Sequence, residues 1–259
     1  MYDLQKVGVF KRISAFLFDF ILISIVAVGV AFAISGITDF NTTLDSYQSH
    51  INQYAEENGI KLDITEDEYN ALSEEERKLY DGMGAELSKN EDFLRDYQLV
   101  IGMTLVMITL APFIAFLLLE FLVPLFLKNG QTLGKKIFAV GVVRMDSVRI
   151  TPFILFARNM LGKYTIGVMI PLYMAVFVFM RALLGISFLS PLLCVVIFAT
   201  VVLLNIGLFV GTRAHTCIHD CFAGTVAIDM ATQMIFDSAD EMLEFKKRVH
   251  QEMAEKAQY

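Results

Sequence analysis

The sequence predicts an all-α membrane protein: a four-helix transmembrane bundle with a small cytoplasmic β-hairpin and an extracellular helical insert. Three observations carry this. The 259-residue chain is 56% hydrophobic with a mean hydropathy of +0.57. It holds four apolar stretches long enough to span a bilayer, at 13–37, 99–127, 164–184 and 187–210. Its charges are also segregated: residues 38–98 hold sixteen Asp/Glu and five Lys/Arg, whereas the remainder is net basic.

The first segment (1–37) contains an apolar run interrupted by one carboxylate, Asp19. A charge in hydrocarbon costs several kcal/mol unless paired, protonated or wetted, so Asp19 marks a polar seam. Arg12 and Ala15 lie on the same helical face, with Gly8 below them. The run is too long for a signal peptide and is expected to be retained as a span. In the insert (38–98), Leu44, Tyr47, Ile51, Tyr54 and Ala55 recur at helical spacing until Asn58-Gly59. Thr65 with Glu68, and Ser73 with Glu76, are capping boxes that start two short helices. Phe93 and Leu94 are assigned to an outward extension of the second span (99–127), which carries Pro112, Glu120 and Pro124.

Segment 128–163 changes period. Ile137, Ala139 and Gly141 alternate with Phe138, Val140 and Val142 before a turn at Met145-Asp146-Ser147, which predicts a β-hairpin. Thr151 followed by Pro152 predicts an N-capped interfacial helix bearing Arg158 and Lys163. The third and fourth spans (164–210) are separated by a break at Gly185–Pro191 and should form a helical hairpin. In the tail (211–259), Ser238 with Glu241 opens an amphipathic helix carrying Met242, Phe245, Val249 and Met253. Small residues Gly8, Ala15, Gly102, Gly162 and Gly167 are expected at close helix approaches.

The positive-inside rule places both termini and 128–163 in the cytoplasm, 38–98 outside, and the protein in the cell membrane with multiple passes. The formal net charge of −7 is then about −11 outside and +4 elsewhere, and gives no reason to expect a nucleic-acid partner. Cys194 falls within a span, and Cys217 and Cys221 fall on the cytoplasmic side, so no disulfide framework is expected.

Several motifs together resemble the RDD family of membrane proteins, named for one arginine and two aspartates. Gly8, Phe10, Arg12, Ala15 and Asp19 are similar to the family's opening. Asn129-Gly130-Gln131-Thr132-Leu133-Gly134-Lys135-Lys136 resembles its Gly-x-Thr-x-Gly-Lys motif. Arg158-Asn159 resembles its interfacial arginine, and His219-Asp220-Cys221-Phe222-Ala223-Gly224-Thr225 its His-Asp-x-x-Ala-Gly-Thr close. Cys221 stands where the family often has arginine, and the acidic insert lies outside its usual pattern. The resemblance implies that Arg12, Asp19 and Asp220 are the name-giving residues, and it suggests transport.

Three spans place polar groups at similar depth. By rise per residue, Glu120 lies ~12 Å above Lys128, Asp19 ~10 Å above Arg12, and Asn205 ~9 Å above Gly211. Asp19, Glu120 and Asn205 are therefore the candidate ion or proton site, with Arg12, Arg158 and Asp220 in support. A purely structural ion-pair network competes with that reading. The Gly130–Lys135 loop lacks the spacing of a phosphate loop, and Lys135 and Lys136 are expected on anionic lipid headgroups. His215, Cys217, His219 and Cys221 alternate, but ligands two apart seldom close a tetrahedron, so no metal site is expected. His219 and Asp220 are expected to bond to backbone or to cationic groups such as Arg213 in a cytoplasmic cap. No cofactor motif and no nucleophile arrangement point to an enzyme.

The functional expectation is a membrane transport component for a cation, or for cation/proton exchange, working as a homo-oligomer. The alternative is a non-catalytic regulator or scaffold that holds partner proteins.

Overall fold

The computed structural model describes residues 6–127, 130–184, 189–212 and 214–257. It is mainly helical, with four helices long and apolar enough to cross a membrane and one two-stranded sheet. Residues Met1–Ser24 with Ala115–Tyr259 form one compact unit, and Ile25–Ile114 a second.

In the first unit, helix α1 (Val9–Ile37) buries only Ala15 and Asp19. Its apolar side chains, including Phe16, Phe20 and Ile21, face outward. A soluble helix would bury these groups and expose the carboxylate; the inversion is what hydrocarbon solvent selects. The second span runs as one helix, α5 (Glu91–Leu127), with a π-helical stretch at Leu117–Leu122. After it come a short helix α6 (Leu133–Ile137) and strand β1 (Val140–Arg144). Helix α7 is continuous: Pro152–Phe156, a π-helical stretch Ala157–Met169, then Ile170–Leu184. Helix α8 (Pro191–Gly211) packs on α7, and the short α9 (Ile218–Ala223) leads into β2 (Thr225–Asp229). Helix α10 (Ala239–Ala257) closes the chain.

The period-two pattern at 140–144 does form a strand, but its main partner is not the one expected. β1 pairs antiparallel with β2, Val140 opposite Asp229 and Arg144 opposite Thr225. The turn at Met145–Ser147 exists, with Ser147 at φ 68°, yet its return limb forms isolated bridges, Val143 with Arg149 and Val148 with Phe236, rather than a strand. The hairpin of the sequence reading is thus corrected to a long-range sheet. Both faces of it are buried: Val140, Val142 and Val143 on β1, Val226 and Ile228 on β2. The expected Ile137 start is helical instead, because Thr132 caps α6 by accepting from the Lys135 amide at 3.3 Å.

A second correction concerns 152–163. The expected cap is present, Thr151 accepting from the Ile154 amide at 3.3 Å, but the helix it opens continues without a break into the third span. Among the small residues, Ala15 is 2% exposed and Gly162 abuts His219, whereas Gly8, Gly102 and Gly167 have open space where a side chain would project. Gly134 is the close approach the pattern missed: a Cβ there would sit 2.9 Å from the Asp19 carboxyl group. Residues 128–129, 185–188 and 213 lie outside the described residues, and with them Asn129 of the glycine motif, most of the Gly185–Pro191 break and the expected Arg213 contact.

The second unit contains α2 (Phe40–Asn58), α3 (Glu66–Ala71) and α4 (Glu74–Leu87), besides parts of α1 and α5. Gly59 ends α2 at φ 66°, and both capping boxes form. Tyr47 stacks on Phe93 at 5.3 Å, and Ser46 donates to the buried Asp96 at 2.5 Å.

Candidate functional site

The site is best built from Pro124. Proline has no N–H, so the carbonyl four residues earlier, that of Glu120, loses its helical donor. The helix widens into its π-helical stretch there, and the Asn159 side-chain amide donates to the Glu120 carbonyl. Asn159 is fully buried, and it also accepts from Arg158 Nη1 at 3.0 Å. One proline thus explains both a helix defect and the polar residue that repairs it.

Arg158 is 2% exposed and points at Asp220, which is fully buried. Its Nε and Nη2 donate to Asp220 Oδ1 at 3.0 and 2.6 Å, and Nε also reaches Thr225 Oγ1 at 3.1 Å. The other carboxylate oxygen accepts from Arg12 Nη2 and from the Cys217 amide, each at 3.2 Å. Asp220 therefore caps its own helix while joining α1 and α7 to the chain near β2. The two guanidiniums hold its carboxyl far below the usual carboxylate range, overriding the opposing effect of burial. Arg12 further donates to the His215 carbonyl at 2.5 Å and lies over the Phe209 ring at 5.3 Å.

Asp19 does not pair with Arg12. It accepts from the Thr132 hydroxyl and, at 2.7 Å, from the Gly134 amide, both at the N-terminus of α6. This explains the glycine motif position by position. Gly130 adopts φ 59°, Gln131 donates to the Val140 carbonyl at 2.8 Å, Thr132 and Gly134 bind Asp19, and Gly134 lets α1 approach.

Lys135, the last residue of the motif, turns inward rather than toward headgroups as the sequence suggested; its side chain is 13% exposed. Glu120 is fully buried, pairs with Lys163 through Oε1, and holds Oε2 3.9 Å from Lys135 Nζ. Among the described residues neither Glu120 Oε2 nor Lys135 Nζ has a hydrogen-bond partner. Burial, with Arg158 and Lys163 nearby, lowers the Lys135 pKa to about 8 against the pull of Glu120 and Asp19.

A cavity of about 190 Å³ adjoins these groups. Its polar lining is Arg12, Asp19, Lys135, Arg158, Lys163 and His219, and its apolar walls include Ile13, Phe16 and Phe209. His219 packs against Gly162 and is driven down to about 3, first by burial and then by Arg158, so its ring is neutral at physiological pH. Of the three residues nominated as the ion site, Asp19 lines the cavity, Glu120 lies at its edge through Lys135 and Lys163, and Asn205 stands apart. Asn205 accepts from the Ile218 amide at 3.3 Å and donates to the Val201 carbonyl at 3.2 Å, fixing the start of α9. Lys135, Lys163 and Asn159 were missed as site residues. Lys135 carried a signal, since it closes the glycine motif.

The ligand atoms of Cys217, His219 and Asp220 lie within 4.8 Å of one another. They do not suit a metal ion, because both Asp220 oxygens are already occupied and two guanidiniums face the same carboxylate. Burial also raises the Cys217 thiol, away from the thiolate a metal requires.

A sequence model of the RDD family matches residues 6–224, a range that contains every charged side chain of this cluster. The chain belongs to the RDD family. No curated protein and no solved structure matches it. Arg12, Asp19 and Asp220, the residues that the resemblance singles out, fall into two separate bonds: Arg12 holds Asp220, and Asp19 holds the Thr132–Gly134 turn. As a member of a membrane family, the protein has the lipid environment that the outward apolar faces of its spans require.

Proposed function

We propose that this RDD protein is a non-enzymatic component of membrane transport that couples ion occupancy of the buried cluster to the proton on Lys135. The supporting observation is the unsatisfied pair, Glu120 Oε2 and Lys135 Nζ, buried 3.9 Å apart beside a cavity. Buried polar groups in a purely structural network are almost always hydrogen-bonded. Here a donor and an acceptor are kept open to a third species, and a lysine lowered to about 8 can release its proton near neutral pH.

A cation entering the cluster would replace the Lys135 proton and leave the total charge unchanged, which is the step an exchanger needs. The protein sits in the cell membrane with both termini and the 128–163 segment inside and the acidic insert outside, in accord with the segregation of charge. Four spans are few for an alternating-access machine, so a homo-oligomer is the working unit. Single cysteines at Ser46 and Ser147 test the topology: labelling of both from one side overturns it.

The function is tested in liposomes by following ion-driven proton flux for the wild type, Glu120→Gln and Lys135→Met at matched incorporation. At least a tenfold loss is expected in both variants, and unchanged flux in both removes the mechanism. The scaffold reading also has support, because α10 leaves Leu243 49% and Met253 62% exposed. Absence of flux together with a stoichiometric co-purifying protein would favour it.

A further inference from the structure

We propose that the cavity beside Lys135 binds a phosphate-bearing anion, with Lys135 Nζ as principal donor and Arg12 and Lys163 as flanking cations. The anion occupies the cluster when Lys135 keeps its proton, the state opposite to the cation-bound one above, so its part in transport rests on that reading, while its binding is measured independently of it.

Charge is the first argument. Four cationic side chains, Arg12, Lys135, Arg158 and Lys163, meet three carboxylates, Asp19, Glu120 and Asp220, and His219 is neutral. One positive charge is left in excess in a buried setting, where an unmatched charge is costly. An entering anion cancels it, whereas an entering cation adds to it unless a proton leaves.

Hydrogen-bond supply is the second. Asp19 and Asp220 are each already committed to at least two donors, so they offer little to a cation. Lys135 Nζ, with three N–H groups, has no acceptor among the described residues. Were one of these to turn to Glu120 Oε2, 3.9 Å away and itself without a donor, two would still lack an acceptor, which a phosphate oxygen supplies. At about 190 Å³ the cavity is smaller than the 300–1,000 Å³ of drug-sized sites and suits a compact oxyanion.

The phosphate could arrive free or on a lipid. Ile13 and Phe16 wall the cavity while remaining 46% and 55% exposed on the apolar flank of α1, a path open to a headgroup from the bilayer. Two arms separate the sources. Calorimetry of the detergent-purified protein uses inorganic phosphate at pH 7.0. Native mass spectrometry of protein released from phosphatidylcholine nanodiscs, with and without phosphatidic acid, counts retained lipid.

Saturable phosphate binding that falls at least tenfold in Lys135→Met and persists in Lys135→Arg supports a soluble ligand. Selective retention of phosphatidic acid over phosphatidylcholine, with the same dependence on residue 135, supports a lipid. In either case wild-type affinity should fall at least tenfold from pH 7.0 to 9.5. Over that range Lys135, which faces Arg12, Asp19, Glu120, Arg158, Lys163, Cys217 and His219, loses its proton, and the phosphate itself only gains charge. This pH readout needs no variant to fold. Neither ligand binding, equal retention of both lipids, or binding indifferent to residue 135 and to pH overturns the proposal. Cation-driven proton flux without phosphate binding would reject this inference and leave the transport reading standing; binding without flux would do the reverse.

Discussion

The acidic insert and the buried cluster use the same residue types in opposite ways. In the insert, charges pair locally and in the open: Lys89 meets Glu86 at 2.6 Å across three residues, with side chains 69% and 52% exposed. Lys61 meets Glu68 at 2.9 Å across seven residues. Such pairs are screened by water and add little to stability. In the cluster, Arg12 reaches Asp220 across 208 residues and Asp19 reaches Thr132 across 113, both nearly out of solvent. The first arrangement is a property of short peptides placed in water. The second exists only once α1, α7 and the residues around β2 have assembled, and there each partner is hard to lose.

The strongest break of that contrast is Asp220→Ala. It removes the acceptor shared by Arg158, Arg12 and the Cys217 amide and leaves a buried guanidinium unpaired. A loss of about 3–5 kcal/mol is expected, read as a collapse of folded yield and of thermal midpoint in detergent. Retention of wild-type stability would mean the network is not what binds these elements.

Next in size is Gly134→Ala, whose methyl group must displace the backbone of α1 and the Asp19 carboxyl group. It should cost about 1–3 kcal/mol. Gly102→Ala and Gly167→Ala, in open space within helices, should be neutral or stabilising by up to about 1 kcal/mol. Equal thermal midpoints for Gly134→Ala and Gly167→Ala would refute the close approach at α6.

Inside the insert, Ser73→Ala removes one capping box and should cost about 1 kcal/mol, confined to α4. Hydrogen exchange should show faster exchange at 74–77 and no change at 133–137. Faster exchange in both would show that the insert is not energetically local.

The effects of pH are set apart by window rather than by size, and they carry the same sign: both groups are lowered in the fold, so stability rises with pH in each window. His219 is lowered in the fold from its ordinary 6.5 to about 3, so the unfolded chain takes up its proton first. Its contribution is complete above pH 6.5 and is lost as pH falls toward 3. Lys135 is lowered from 10.5 to about 8, so the folded chain releases its proton first and stability rises between pH 8 and 10.5. Thermal midpoints of Lys135→Met should lack that alkaline rise, and those of His219→Gln should lack part of the acid loss. Parallel pH profiles for wild type and variants would show that neither group is buried as described.

What could be read in the chain alone were features whose cause lies within a few residues. The capping boxes at Thr65 and Ser73, the stop at Gly59, the Thr151-Pro152 helix start and the apolar length of the spans all follow from local hydrogen bonding, backbone freedom and hydrophobic transfer. Asp19 and Glu120 were legible as buried carboxylates because hydrocarbon penalises charge wherever it occurs. Their partners were not. Pairing of β1 with β2, the inward turn of Lys135, the Asp19 contact with the Gly134 amide and the separation of Asn205 from the cavity depend on which distant segments meet. Period-two alternation specifies a strand but not its mate, and a charged side chain specifies a need but not who meets it. Tertiary packing made those choices, because only the assembled chain fixes which donors and acceptors come within 3 Å in the absence of water.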